Sequence, residues 1–92
     1  MAYRMGGFTP GSSQSVTLYF VEHFWSAPGK RVFSVMINGE EVLTDFDVFA
    51  DAGGQYIAVQ HTFTTTANSS GEVVVQFVSG VDNPIVNGIV IN

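Results

Sequence analysis

A chain of 92 residues holds one small domain, and this one sets three basic residues against eight acidic ones for a net charge of −5. A phosphate backbone is bound by clustered Lys and Arg, and only Arg4, Lys30 and Arg31 exist here, which excludes nucleic acid as a partner. The lack of cysteine excludes disulfides and Cys-based zinc sites, and no run of about 20 apolar residues offers a membrane-spanning helix.

Charged residues make up 12% of the chain, so solubility rests on Ser, Thr, Asn, Gln and Gly, a profile that suits an extracellular β-domain. Segments rich in Val, Ile, Phe, Thr and Tyr are separated by clusters of Gly, Asn, Pro and Ser, the pattern of many short strands. Tyr3, near the start, has no spacing that interprets it. Gln14–Glu22 alternates, with Val16, Leu18 and Phe20 on one face and Ser15, Thr17 and Tyr19 on the other. A turn-like segment follows and carries two adjacent aromatics, Phe24 and Trp25. Lys30–Ile37 resumes the alternation through Phe33, Val35 and Ile37. Asn38-Gly39 supplies the positive φ values of a two-residue hairpin turn, so Glu40–Phe46 returns antiparallel. An Asp-rich loop closed by glycines comes next. Gln55–Thr65 alternates through Ile57, Val59, His61 and Phe63, and Ala67–Gly71 is a polar turn leading to a hairpin partner at Glu72–Val78. Pro84–Ile91 is a last strand, interrupted by Asn87-Gly88.

These six or seven strands have one-sided apolar faces that need a second layer, and with helix signals nearly absent that layer is another sheet. The expected fold is all-β: a jelly-roll-like antiparallel β-sandwich without significant helix, forming a single module over residues 1–92.

Neighbouring residues on a strand point to opposite faces, so one of Phe24 and Trp25 is expected in the core. The other is then exposed at a loop tip, where aromatics serve binding. Sugar rings stack their apolar C–H faces on aromatic planes, while their hydroxyls need amide or carboxylate partners. Tyr19 and Tyr56 either extend such a platform or are ordinary strand residues. Asp82-Asn83-Pro84 is a turn signature whose side chains hold backbone N–H groups or face sugar hydroxyls. Asp45, Asp47 and Asp51 are oxygen donors of the kind a structural calcium takes, but they lack EF-hand spacing, and Asx-turn or capping roles account for them as well. No cofactor is required. His23 and His61 have no His, Cys or carboxylate neighbour at ligand spacing, which speaks against zinc and a His-based dyad. Glycosidase chemistry needs two carboxylates across a cleft. Glu22, Glu40, Glu41 and Glu72 are available, yet so short a chain leaves little room for one, and no catalytic residue is expected.

KRVFSVMINGEEVLTDFDVFADAGG at Lys30–Gly54 and VDNPIVNGIVI at Val81–Ile91, preceded by Leu18–Glu22 and the Phe24-Trp25 loop, resemble the malectin-like domains and the related carbohydrate-binding modules of family 57. The resemblance runs from about Thr9 to Asn92, through several motifs in the family's order. It implies a non-catalytic β-sandwich that binds sugar through an adjacent aromatic pair, here Phe24 and Trp25, and an Asp near the carboxyl end, here Asp82 with Asn83 beside it. Family members are longer, and their amino-terminal part supplies further strands and two ligand-binding tyrosines. This chain begins about where that part ends, so a flatter platform is expected, with strand edges that a second copy could cover in a homodimer. The resemblance further implies a secreted, bacterial module fused to a glycoside hydrolase. Its expected ligand is a plant cell-wall β-glucan (cellulose-type, mixed-linkage glucan or xyloglucan). The alternatives are a short α-glucan or a purely structural, protein-binding role.

Overall fold

The apolar faces of the alternating segments meet across two antiparallel sheets. The computed structural model describes all 92 residues as seven strands and one short helix. These are β1 (Ala2–Met5), β2 (Ser13–Val21), β3 (Val32–Ile37), β4 (Glu40–Phe46), α1 (Val48–Ala52), β5 (Ala58–Thr66), β6 (Val73–Val81) and β7 (Gly88–Ile91). One sheet has the order β1-β6-β3-β4 and the other the order β5-β2-β7. This is the expected β-sandwich.

The periods read from sequence for β2 and β3 point the right residues inward, whereas Ile57 lies before β5 and is 46% exposed. Val16, Leu18 and Phe20 of β2 are fully buried, and they face Phe33, Val35 and Ile37 of β3 with Val73, Val75 and Phe77 of β6. Phe20 packs on Phe33 and Phe46 at ring-centroid distances of 5.8 and 5.0 Å, making an aromatic centre to the core. Each such side chain contributes about 1.5–3 kcal/mol through its burial. Asn38 and Gly39 adopt φ of 47° and 83°, the geometry the β3–β4 hairpin requires.

Several features differ from the sequence reading, among them β5, which leaves Tyr56 in the connection before it, and β7, which is shorter than the expected Pro84–Ile91. Glu72–Val78 is no hairpin partner of Gln55–Thr65: β5 and β6 lie in different sheets, and Ala67–Gly71 carries the chain across. Ala67 is buried there, and Asn68 Oδ1 accepts from the backbone N–H groups of Ser70 and Glu72, both at 3.0 Å. Tyr3 lies on an unforeseen edge strand, β1, which pairs with β6. Within the Asp-rich loop, α1 makes a single turn, capped by Asp47 and ended by Gly53 at φ 83°.

Register decides where the connections gather. Val21 stands opposite Ala58, Phe33 opposite Phe46, and Val32 opposite Val81. The sheet-crossing connections 22–31, 47–57 and 82–87 therefore all emerge at one end of the sandwich.

Candidate functional site

Residue parity carries two charges into that end. The inward face of β2 continues from Phe20 to Glu22, and that of β3 begins, one residue before the strand, at Arg31. Glu22 is 1% exposed and Arg31 8%. Arg31 Nε donates to Glu22 Oε1 at 2.8 Å. The second oxygen of Glu22 accepts from the backbone N–H groups of Phe24 and Trp25 at 3.3 and 3.4 Å. Arg31 Nη1 donates to the carbonyl of Asn83. No buried side-chain nitrogen or oxygen is left without a partner, which is what makes so enclosed an ion pair tolerable.

Neither aromatic of the pair belongs to the core. Phe24 is 65% exposed and Trp25 half-buried. The expectation of one in and one out assumed strand geometry, but β2 ends at Val21. Beyond it the Glu22 carboxylate binds both consecutive amides, and the backbone no longer alternates its side chains. The two rings meet edge to face at a centroid distance of 4.7 Å and an angle of 89°. Trp25 Nε1–H donates to Asp82 Oδ2 at 2.8 Å. Asp82 occupies the left-handed region at φ 60°, which Asp tolerates better than most residues. The indole donor holds the Asp82 carboxyl below its ordinary value, helped by the Asn83 backbone N–H and, more weakly, by the Arg31 charge.

The other candidates fall into two groups. Tyr56 shares the same end: it is 70% exposed, and its backbone N–H donates to the Glu22 carbonyl at 2.8 Å. Gln55 Nε2 beside it donates to the His23 carbonyl at 3.3 Å, tying the 47–57 connection to the aromatic pair. Asn83 joins the network through its backbone. Tyr19 stands apart, on the outer face of β2 against Gly88 of β7. A cavity of about 300 Å³ also lies away from the aromatic pair, between β1 and the start of β7, lined by Tyr3, Met5, Val86, Asn87, Gly88 and Ile89.

The three loop aspartates considered for calcium engage different partners, only Asp47 and Asp51 through their carboxylates. The Asp45 backbone N–H donates to Ser34 Oγ, Asp47 accepts from the N–H groups of Ala50 and Gly29, and Asp51 meets His61. No group of three or more His, Asp or Glu side chains is gathered as a metal site would need. The His61–Asp51 contact, 2.8 Å from Nε2 to Oδ2, corrects the expectation that His61 has no carboxylate neighbour. Ten residues separate the two, and α1 brings them together. Of the glutamates, Glu22 is locked in the ion pair, Glu72 binds Arg4, and Glu40 and Glu41 lie at the exposed start of β4. The Glu22–Arg31 pair was the residue-level feature missed in sequence, although both positions continue the parity of buried faces.

The arrangement offers aromatic surface beside an ionised, exposed carboxylate, which suits binding an apolar ring face with a hydroxyl at its rim. A family model for the Malectin domain matches residues 12–89. The chain belongs to the malectin domain family. Receptor-like protein 4 of Arabidopsis thaliana is 35% identical to it over 82 residues, a match that covers 87% of this malectin domain chain and 13% of the plant protein. The ANXUR2 extracellular domain of Arabidopsis thaliana superposes with a TM-score of 0.85 at 19% identity, over 99% of this chain and 27% of that one. Beta-glucuronidase 2 of Bacteroides uniformis gives a TM-score of 0.82 at 23% identity, over 98% of this chain and 10% of the enzyme. These two similarities show a shared fold. The chain thus spans only a small part of each relative's length.

Proposed function

We propose that this malectin domain is a non-catalytic carbohydrate-binding module that takes plant cell-wall β-glucan chains across Phe24 and Trp25. The observation that carries this reading is the Trp25–Asp82 hydrogen bond of 2.8 Å. It uses the indole N–H within the protein, so the ring serves a ligand through its face and the carboxylate keeps an oxygen for a hydroxyl. Stacking plus a few fixed polar groups is the chemistry of sugar sites. An extended β-glucan presents flat apolar faces, and because the two rings stand at 89°, one stacks on such a face while the other bounds it at the open end of the sandwich. Tyr56 extends the surface on the same end and Asn83 flanks Asp82. Tyr19 serves only a chain long enough to reach the outer face of β2.

The place of such domains in glycosidases and receptor ectodomains supports an extracellular role within a larger protein. Fused to a glycoside hydrolase, the module would hold the enzyme at its polysaccharide by raising effective concentration.

Trp25 is the only tryptophan, so intrinsic fluorescence reports on this site alone. Titration with soluble cello-oligosaccharides is expected to change its intensity and maximum in a saturable way. A flat titration for these and for xyloglucan oligosaccharides overturns the β-glucan reading; saturation by malto-oligosaccharides instead places the ligand among α-glucans.

A further inference from the structure

A buried ion pair is a costly way to fill the end of a core. Removing two charges from water is repaid only by good geometry and further hydrogen bonds, and apolar residues of similar volume often stabilise equally well or better. Glu22 and Arg31, 1% and 8% exposed, continue faces whose next inward residues are Phe20 and Phe33. Stability alone does not account for them.

Their partners do. One oxygen of Glu22 takes Arg31, and the other takes the amides of Phe24 and Trp25. Arg31 reaches on to the carbonyl of Asn83, the residue after Asp82. Each half of the pair holds one half of the aromatic–carboxylate couple, and the 2.8 Å contact between the halves fixes their separation. Phe24 has little packing of its own to orient it, being 65% exposed, and Trp25 meets Phe24 and Asp82 directly.

We propose that Glu22 and Arg31 are positioning residues that preorganise the ligand site, setting Trp25 and Asp82 at hydrogen-bond distance before any sugar arrives. A supporting shell of this kind raises affinity by removing the cost of ordering the site on binding. The consequence for affinity rests on the carbohydrate reading above; the consequence for Trp25 does not.

The test is a double variant, Glu22→Met with Arg31→Met, beside Arg31→Lys. In the double variant the core end becomes apolar, and cooperative unfolding is expected to persist. The single indole N–H resonance of Trp25 should move upfield toward that of an unbonded indole, and affinity for mixed-linkage β-glucan should fall about tenfold or more. Arg31→Lys keeps the charge opposite Glu22, but a lone ammonium lacks the planar fork that serves Glu22 and Asn83 together. Its indole resonance should shift partway and its affinity weaken, with the fold intact. An indole resonance left in place in a folded variant overturns the proposal, because a pair with a purely structural role would alter the melting temperature and leave that signal alone. Should the double variant fail to fold, Arg31→Lys decides by the same signal. If the wild type binds no glucan, the carbohydrate reading fails, and the indole resonance still decides the positioning role.

Discussion

Asp82 is the residue at which charge, turn geometry and the aromatic pair meet. Its carboxyl is held below the ordinary value of 3.8, chiefly by the Trp25 indole. A depressed value means that folding favours the charged form. The contribution is therefore complete above 3.8 and is lost as pH falls through the lower folded value. We expect the Trp25 indole resonance to titrate with a midpoint below 3.8; a midpoint above 3.8 contradicts this. Asp82→Asn keeps a carbonyl acceptor and should abolish that titration. Phe24, Trp25 and Asp82 were legible as motif residues, but the bond joining Trp25 to Asp82 spans 57 positions and leaves no local trace. Glu22 and Arg31 were legible in principle, since a charge on the parity of a buried face needs a buried partner. The exposed pair was misread because strand alternation was extended past Val21, where backbone hydrogen bonding to a side chain replaces it.

At the scale of elements, short-range signals were read correctly and crossings were not. Asn38-Gly39 demands positive φ at both positions, and only a tight hairpin meets that demand. Asn38 does more: its Nδ2 donates to the Thr66 carbonyl at 2.8 Å, and its Oδ1 accepts from the Val74 N–H at 2.7 Å, joining the turn to the end of β5 and the start of β6 on either side of the crossing. Asn38→Ala should cost about 2–3 kcal/mol through lost bonds and strain at φ 47°, read from the denaturant midpoint. Ala67–Gly71 looked like a hairpin turn because a short polar linker has the same composition whether the chain returns within a sheet or crosses to the other. Asp47 has a comparable double task, capping α1 and accepting from Gly29 at 2.6 Å. Asp47→Ala should cost about 1–2 kcal/mol, and amide exchange should quicken in 26–30 and 47–53 while β2 and β3 stay protected. Equal loss of protection across all strands would contradict that localisation.

For the whole molecule, the sandwich was legible because one-sided strands cannot remain a single layer in water. Strand order was not, because β1-β6-β3-β4 and β5-β2-β7 depend on contacts far apart in sequence. Stability rests on a small core: Leu18 is fully buried between the sheets, and Leu18→Ala should remove about 2–5 kcal/mol. Against a total of about 5–15 kcal/mol for a domain, that loss should show as a large fall in melting temperature. The account's central claim is that the loop end of this sandwich binds β-glucan through Trp25. Affinity gel electrophoresis tests it most directly, with wild type and a Trp25→Ala variant of verified circular dichroism run through gels containing mixed-linkage β-glucan, xyloglucan, xylan, mannan or starch. The account predicts retardation of the wild type by a β-glucan and its loss in Trp25→Ala. Wild type that no polysaccharide slows, or a Trp25→Ala variant slowed as much as wild type, would contradict it.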